Sequence, residues 1–302
     1  MSNSFIGLDW GTTSFRAYLV RGDGSVADEV SAPGGILAVK DGAFEAALEQ
    51  QIGAWDKSLP VIASGMITSR QGWVEIPYVD CPAGPAEIAK AIVRKDLASG
   101  RVIYFMTGLH LASPSLGHDV MRSEEMQVFG NLESGANDLG IRHFVTPGTH
   151  SKWIDVVDGR ITGFATYVTG EVFAVLRQHS ILGRLMTSDA DDEAAFQRGV
   201  AKAFEDPAGL LHNLFSVRSL GLFNEMSCDV LASYLSGLVI GSEIAHASAS
   251  RDRDADYVIL ASAGIALRYQ RAMAAAGLKA RLGDPLAIVR GEAMVAKLAG
   301  II

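Results

Sequence analysis

The chain has 302 residues, of which 49% are hydrophobic and 20% charged, and its formal net charge is −8. That length and balance bury a sizeable core without disulfides or a structural metal. The acidic balance, with no basic stripe, excludes a general nucleic-acid binder, and two cysteines with no C-x-x-C pair (Cys81 and Cys228) argue against a zinc knuckle or a thioredoxin-type site.

The first residues lack the basic and long apolar segments of a signal peptide. Residues 5–9 form an apolar strand, and 14–20 a second across the turn 10–13. Arg21-Gly22-Asp23-Gly24 makes a hairpin turn into a third strand, 25–30. Apolar positions at helical spacing (Phe44, Ala47, Leu48, Ile52, Trp55) predict a helix over 42–55. A short strand at 61–63 leads into a long polar stretch, rich in Gly and Pro, that runs to Pro85; its length marks it as functional or mobile. A helix over 85–93, a strand over 101–106 and a helix over 122–132 follow.

The pattern then restarts. Strands are expected at 142–146, 151–157 and 160–166, helices at 171–179, 191–204 and 227–249, a strand at 257–261 and a helix at 263–275. A strand near 287–289 and a helix at 291–298 close the chain. The apolar run at 230–240 is broken by Ser233, Ser236 and Gly237, too short and interrupted to span a bilayer. Three tightly turned strands followed by alternating helices and strands thus occur twice. The boundary is expected near 137–140, giving domains 1–138 and 139–302, with the last helix packing back onto the first half.

Five places carry chemistry. Asp9-Trp10-Gly11-Thr12-Thr13-Ser14 lies between two strands. Its glycine admits close approach of a phosphate, Thr12, Thr13 and Ser14 add small donors, and Asp9 suits a water-bridged Mg²⁺. Thr146-Pro147-Gly148-Thr149-His150-Ser151-Lys152-Trp153 repeats that context. Gly148, Thr149 and Ser151 are candidate phosphate donors, and His150 and Lys152 candidate partners for phosphate or an anionic substrate. In the polar stretch, Arg70 suits bidentate capture of a carboxylate, and Ser69 and Gln71 suit hydroxyl groups. In Arg122-Ser123-Glu124-Glu125, Ser123 could cap a helix whose first turn holds two acids, or a glutamate could deprotonate a hydroxyl nucleophile. Glu124 is the first candidate for that base and Glu125 the second, with Arg122 a further cation for substrate carboxylate or phosphate. Ala261-Ser262-Ala263-Gly264 ends a strand in small residues and opens a helix.

These motifs resemble the phosphate-1, phosphate-2 and adenosine segments of the actin-like kinases. The second loop of that superfamily usually begins with Asp, where this chain has Thr146 and Pro147; the adenosine segment usually has a glycine pair, where only Gly264 is present. The helix start at Glu124 is similar to that of exopolyphosphatases in the same superfamily. The run G-M-I-x-S-R-x-G-W-x-E-x-P-Y-x-x-C-P-A from Gly65, with P-G-T-H-S-K-W and G-F-x-T-Y-V-T-G-E, resembles the 2-dehydro-3-deoxygalactonokinases over nearly the whole chain.

The resemblance implies an α/β, duplicated actin-like ATPase (ribonuclease H-like) fold, with two domains around a nucleotide cleft and adenosine against Ala263 and Gly264. It implies ATP and Mg²⁺ as cofactors and phosphorylation of the 6-hydroxyl of 2-dehydro-3-deoxy-D-galactonate in the cytoplasm, without nucleic acid or membrane. A homodimer is one assembly it admits. The alternatives are a polyphosphate or nucleotide phosphohydrolase, a kinase of another 2-keto-3-deoxy sugar acid, and a non-catalytic nucleotide sensor.

Overall fold

A computed structural model describes residues 3–113, 117–134, 141–249, 251–284 and 286–302. The boundary expected at 137–140 lies outside the described residues. The chain divides into two compact units, one of residues 1–141, 155–164 and 284–302, the other of 142–154 and 165–283.

The first unit opens with an antiparallel meander, β1 (Phe5–Trp10), β2 (Phe15–Val20) and β3 (Val26–Ala32). After α1 (Phe44–Ile52), β4 (Val61–Ser64) joins β1 in parallel. Both strands are apolar on either face, as expected of strands covered on two sides. Next come β5 (Val79–Asp80), α2 (Pro85–Lys90), β6 (Val93–Asp96), β7 (Val102–Phe105), the hairpin β8 (Leu109–Ser113) and β9 (Gly117–Met121), and α3 (Glu124–Ser134). The main sheet has the order β3-β2-β1-β4-β7-β6, and β5-β8-β9 form a small separate sheet.

A second sheet is built from β10 (Ile141–Thr146), β11 (Ser151–Val157) and β12 (Arg160–Tyr167). Helices α4 (Thr169–His179), α5 (Glu193–Glu205), α6 (Leu210–Leu214), α7 (Ser216–Leu222) and α8 (Leu231–Ser248) follow. Then come β13 (Asp256–Ile259), α9 (Ala263–Ala275), β14 (Lys279–Leu282) and α10 (Ala287–Leu298). The order β12-β11-β10-β13-β14 repeats the β3-β2-β1-β4-β7 order of the first sheet. Helix α8 is buried along nearly its whole surface, which explains an apolar sequence without a polar face. Among the described residues no helix is long and apolar enough to cross a membrane.

Two expectations need correction. The helix expected to reach 93 stops at Lys90, and 93–96 form the edge strand β6. Its Val-Arg-Lys-Asp sequence is exposed throughout, so it carries none of the apolar alternation that marks a half-buried strand. The strand expected near 287–289 is the first turn of α10; Ala287, Ile288 and Val289 are all buried against the unit, and three apolar residues do not separate helix from strand. The last strand lies earlier, at 279–282. The hairpin β8–β9 and the short helices α6 and α7 were not expected.

Helix α10 belongs to the first unit, where it packs along α3 and against α2. The α3–α10 crossing is close because both helices present glycine. A Cβ on Gly130 would lie 1.8 Å from the Ala287 carbonyl oxygen, and one on Gly291 would lie 2.0 Å from that of Met126. Alanine is favoured over glycine inside a helix by about 1 kcal/mol, so a net loss on substitution reports the overlap alone. Gly291→Ala is expected to destabilise the protein by about 1–3 kcal/mol, read as a lowered melting temperature; an unchanged or raised value would show that the helices separate freely.

Candidate active site

The turn after β1 is anchored beneath and open above. Trp10 is 1% exposed, meets Phe15 and Phe44 edge-on, and donates its indole N–H to the Gly34 carbonyl at 3.2 Å. The Gly11 N–H donates to Ser14 O at 2.9 Å, closing the turn. The Gly11 and Thr12 carbonyls accept from the N–H groups of Ile36 and Leu37. Thr12 and Thr13 are exposed at the tip. With its carbonyls turned to the 35–37 segment, the turn leaves backbone N–H and hydroxyl donors for an anion.

Asp9 ends β1 beside this turn. Its side chain is 15% exposed; Oδ1 accepts from the Ser123 hydroxyl at 2.9 Å, and Oδ2 lies 3.9 Å from the Arg16 guanidinium. Burial raises its pKa, Ser123 and Arg16 oppose the rise, and Glu124 adds to it. Gly65 (φ 93°) brings the turn after β4 against the same place: a Cβ there would lie 2.9 Å from Trp10 O and 3.2 Å from Asp9 Oδ1. Behind the strand, Glu292 of α10 is 0% exposed and accepts from the Ser64 hydroxyl at 2.8 Å. Its Oε2 has no hydrogen-bond partner among the described residues and fills the space where a Gly7 side chain would be. Burial raises its pKa well above the usual carboxylate value. Burial away from water disfavours the charged form of a carboxyl.

The two glutamates at the start of α3 have different environments. Glu124 is half-buried, and its Oε2 accepts the Arg122 N–H at 3.0 Å. Glu125 is 0% exposed; Oε1 accepts the Ser123 N–H at 2.9 Å and Oε2 has no hydrogen-bond partner among the described residues. Ser123 itself has φ 97°, outside the extended backbone of an N-cap, and its hydroxyl proton goes to Asp9. The capping expected of its side chain is therefore replaced by a link between α3 and β1.

The polar stretch is organised by Arg122. The residue is 8% exposed, and its guanidinium donates to Thr68 Oγ1 at 2.6 Å and to Ile76 O at 3.0 Å and lies 4.1 Å from the centre of the Tyr78 ring. Ser69 is buried and donates to Met66 O. Arg70 and Gln71 are exposed at the tip, with no hydrogen bond or ion pair among the described residues. Ser69 and Arg122 thus shape the loop, whereas Arg70 and Gln71 project from it.

In the second unit, Gly148, Thr149 and His150 are exposed between β10 and β11. The turn is clasped to the start of α4: the Glu171 N–H donates to Thr149 O at 3.0 Å, and Gly170 packs so closely that a Cβ would lie 2.3 Å from Gly148 O. His150 Nε2 pairs with Glu171 at 2.6 Å. Lys152 is 5% exposed, and Ser151 is fully buried with its hydroxyl proton committed to Glu243 at 2.7 Å. Ala263 and Gly264 are exposed at the start of α9, next to the end of β13. No cluster of three or more His, Cys, Asp or Glu suited to a metal exists among the described residues. The Asp9 carboxylate fits Mg²⁺, which takes one or two carboxylates and keeps waters and phosphate oxygens for its other positions.

Sequence reading missed Glu292 and Glu243. Each is an acid inside an apolar helical run, A-I-V-R-G-E-A-M-V-A and L-S-G-L-V-I-G-S-E-I-A; that incongruity was the available signal.

A family described as 2-keto-3-deoxy-galactonokinase matches residues 9–295. A Rhizobium meliloti (strain 1021) protein named "Probable 2-dehydro-3-deoxygalactonokinase" is 38% identical over 297 residues, covering 95% of this chain and 94% of its own. The Escherichia coli (strain K12) 2-dehydro-3-deoxygalactonokinase is 30% identical over 278 residues, covering 92% and 91%. A crystal structure of a Sinorhizobium meliloti protein provisionally assigned that activity superposes with a TM-score of 0.87 at 33% identity, covering 97% of this chain and 98% of that one. An activator of 2-hydroxyisocaproyl-CoA dehydratase from Clostridium difficile, at 13% identity and a TM-score of 0.50, shares the fold alone. The fold is the duplicated actin-like ATPase arrangement expected from the motifs.

Burial, and then the Glu124 charge, pushes the Glu125 carboxyl up to about 8 from an ordinary 4.5. The folded chain therefore holds this proton more tightly than the unfolded chain. The associated stability is full below pH 4.5 and is lost as pH rises towards 8. Glu125→Gln, which cannot ionise, is expected to lose less stability than wild type between pH 5 and 8 in denaturant titrations. Parallel pH profiles for the two proteins would show Glu125 to be ionised throughout.

Proposed function

The chain belongs to the 2-keto-3-deoxy-galactonokinase family, and on that premise we propose that it transfers the γ-phosphoryl group of ATP to the 6-hydroxyl of 2-dehydro-3-deoxy-D-galactonate. The observation that carries the chemistry is the linkage of Asp9 to Ser123, which brings the two carboxylates Asp9 and Glu124 together beside an exposed turn rich in donors.

Phosphoryl transfer asks for positioning and charge stabilisation more than for covalent chemistry. In the first unit, Gly11, Thr12, Thr13 and Ser14 receive phosphate oxygens. Asp9 would hold Mg²⁺, which neutralises phosphate charge when bound. Glu124, half-buried, orients the sugar hydroxyl and takes its proton; Glu125, sealed from solvent, supports the helix start. Arg70 pairs with the substrate carboxylate and Gln71 with a hydroxyl, on a loop held by Ser69 and Arg122. In the second unit, Gly148 and Thr149 receive phosphate, His150 and Lys152 offer N–H donors to phosphate or to the anionic substrate, and Ser151 acts from behind through Glu243. Ala263 and Gly264 give adenosine a surface without bulk. The division into domains 1–138 and 139–302 assigns the sugar-acid loop to the first and adenosine to the second. Both cysteines are free, which suits the cytoplasm as the site of the reaction.

A coupled ADP-release assay with and without 2-dehydro-3-deoxy-D-galactonate tests this, its gluconate-derived epimer serving as comparison. ADP is expected only with the galactonate-derived acid; ADP without any acid, or none with it, would overturn the reading. Asp9→Ala and Glu124→Gln are each expected to lower kcat by roughly 100-fold or more while the melting transition is retained. Near-normal turnover in either variant removes that residue from the mechanism.

A further inference from the structure

The turn 148–149, the start of α4 and helix α9 come from separate stretches of the second unit, yet one buried carboxylate bonds to the α4 start, to α9 and to the strand that leaves the turn. Glu243, on α8, is 3% exposed. Its Oε1 accepts the Ser151 hydroxyl at 2.7 Å and the Trp153 indole N–H at 2.7 Å, both from β11 directly after the turn. Its Oε2 accepts the Tyr269 hydroxyl of α9 at 2.6 Å. The Thr169 side chain, first residue of α4, bonds to the same carboxylate.

We propose that Glu243 is a positioning residue for adenine-nucleotide binding, locking the Gly148–Thr149 turn, the α4 start and α9 into one arrangement. The inference rests on the kinase reading, in which those segments face phosphate and adenosine. The chemistry favours a carboxylate over any other side chain. Four donors converge, and the Trp153 N–H can only donate. A glutamine would satisfy Ser151 and Trp153 with its oxygen, and its amide would then face Tyr269, whose hydroxyl must rotate from donor to acceptor. The fold of such a variant persists with its segments less firmly tied. Burial raises the Glu243 pKa and the donors oppose the rise, and a carboxylate receiving several hydrogen bonds in a dry site is costly to replace.

Glu243→Gln and Tyr269→Phe separate positioning from general stability. By calorimetric titration with Mg·ATP, Glu243→Gln is expected to raise the dissociation constant about tenfold and Tyr269→Phe about threefold. In turnover, the KM for the sugar acid is expected to stay within twofold while the KM for ATP rises with the dissociation constant. Val200→Ala, a core truncation on α5 that removes none of the hydrogen bonds to Glu243, serves as control; it is expected to lower the melting temperature without changing the affinity for ATP. The inference is overturned if ATP affinity in Glu243→Gln stays within twofold of wild type, or if Val200→Ala weakens ATP as much at equal loss of melting temperature. If Glu243→Gln does not fold, Tyr269→Phe and Thr169→Val decide on the same two criteria. Wild-type protein that binds ATP without any sugar-acid-dependent turnover overturns the kinase reading and leaves this comparison valid. Wild-type protein that binds no ATP overturns both.

Discussion

The first unit draws several segments together at one carboxyl, that of Asp9 at the end of a central strand. A carboxylate 15% exposed needs donors close by, and the nearest comes from a residue 114 positions along the chain, the Ser123 hydroxyl. To deliver it, the backbone at Ser123 takes φ 97° and α3 begins with two glutamates turned back onto the preceding N–H groups. Gly65, also at positive φ, lets the turn after β4 close on the same carboxylate. Three segments thus converge on the acid at one strand end. Their convergence sets Glu124 half-open to solvent and Glu125 out of its reach.

Much of this was legible in sequence, for identifiable reasons. Strand β1 stands out because central strands covered on both faces read as apolar runs. The Gly11 turn stands out because a phosphate turn needs small residues and donors, and few other elements put both between two strands. The edge strand β6 was hidden by its own function: an edge is protected by charge, so it loses apolar alternation. Ser151 was read as a phosphate donor from its neighbours in the motif. Strand parity gives another reading, since Ser151 and Trp153 share a face of β11 and Trp153 is a core residue. Ser123, in contrast, could be read only as a cap, because its partner is distant in the chain.

Glu243 and Glu292 show one residue type resolved in two ways. Each sits in an apolar helix, and burial pushes the pKa of each upward. Glu243 collects four donors and serves as a hub. Glu292 has the Ser64 hydroxyl as its one side-chain donor, leaves an oxygen unpartnered, and occupies the hollow left by Gly7. The first ties segments by its hydrogen bonds, the second chiefly by its volume. Burial fraction alone would not tell them apart; the donor count does.

Helix α10 carries a consequence for how the chain is made. The six-stranded sheet is covered by a helix that leaves the ribosome after every residue of the second unit. During synthesis the faces of α2 and α3 that α10 later covers stay wet, and the hollow behind Gly7 stays empty until Glu292 arrives. The earlier-made half therefore cannot be completed until the later-made one has been synthesised, and a chain that ends before position 284 leaves apolar faces of α2 and α3 uncovered, the kind of exposed apolar surface that chaperones recognise.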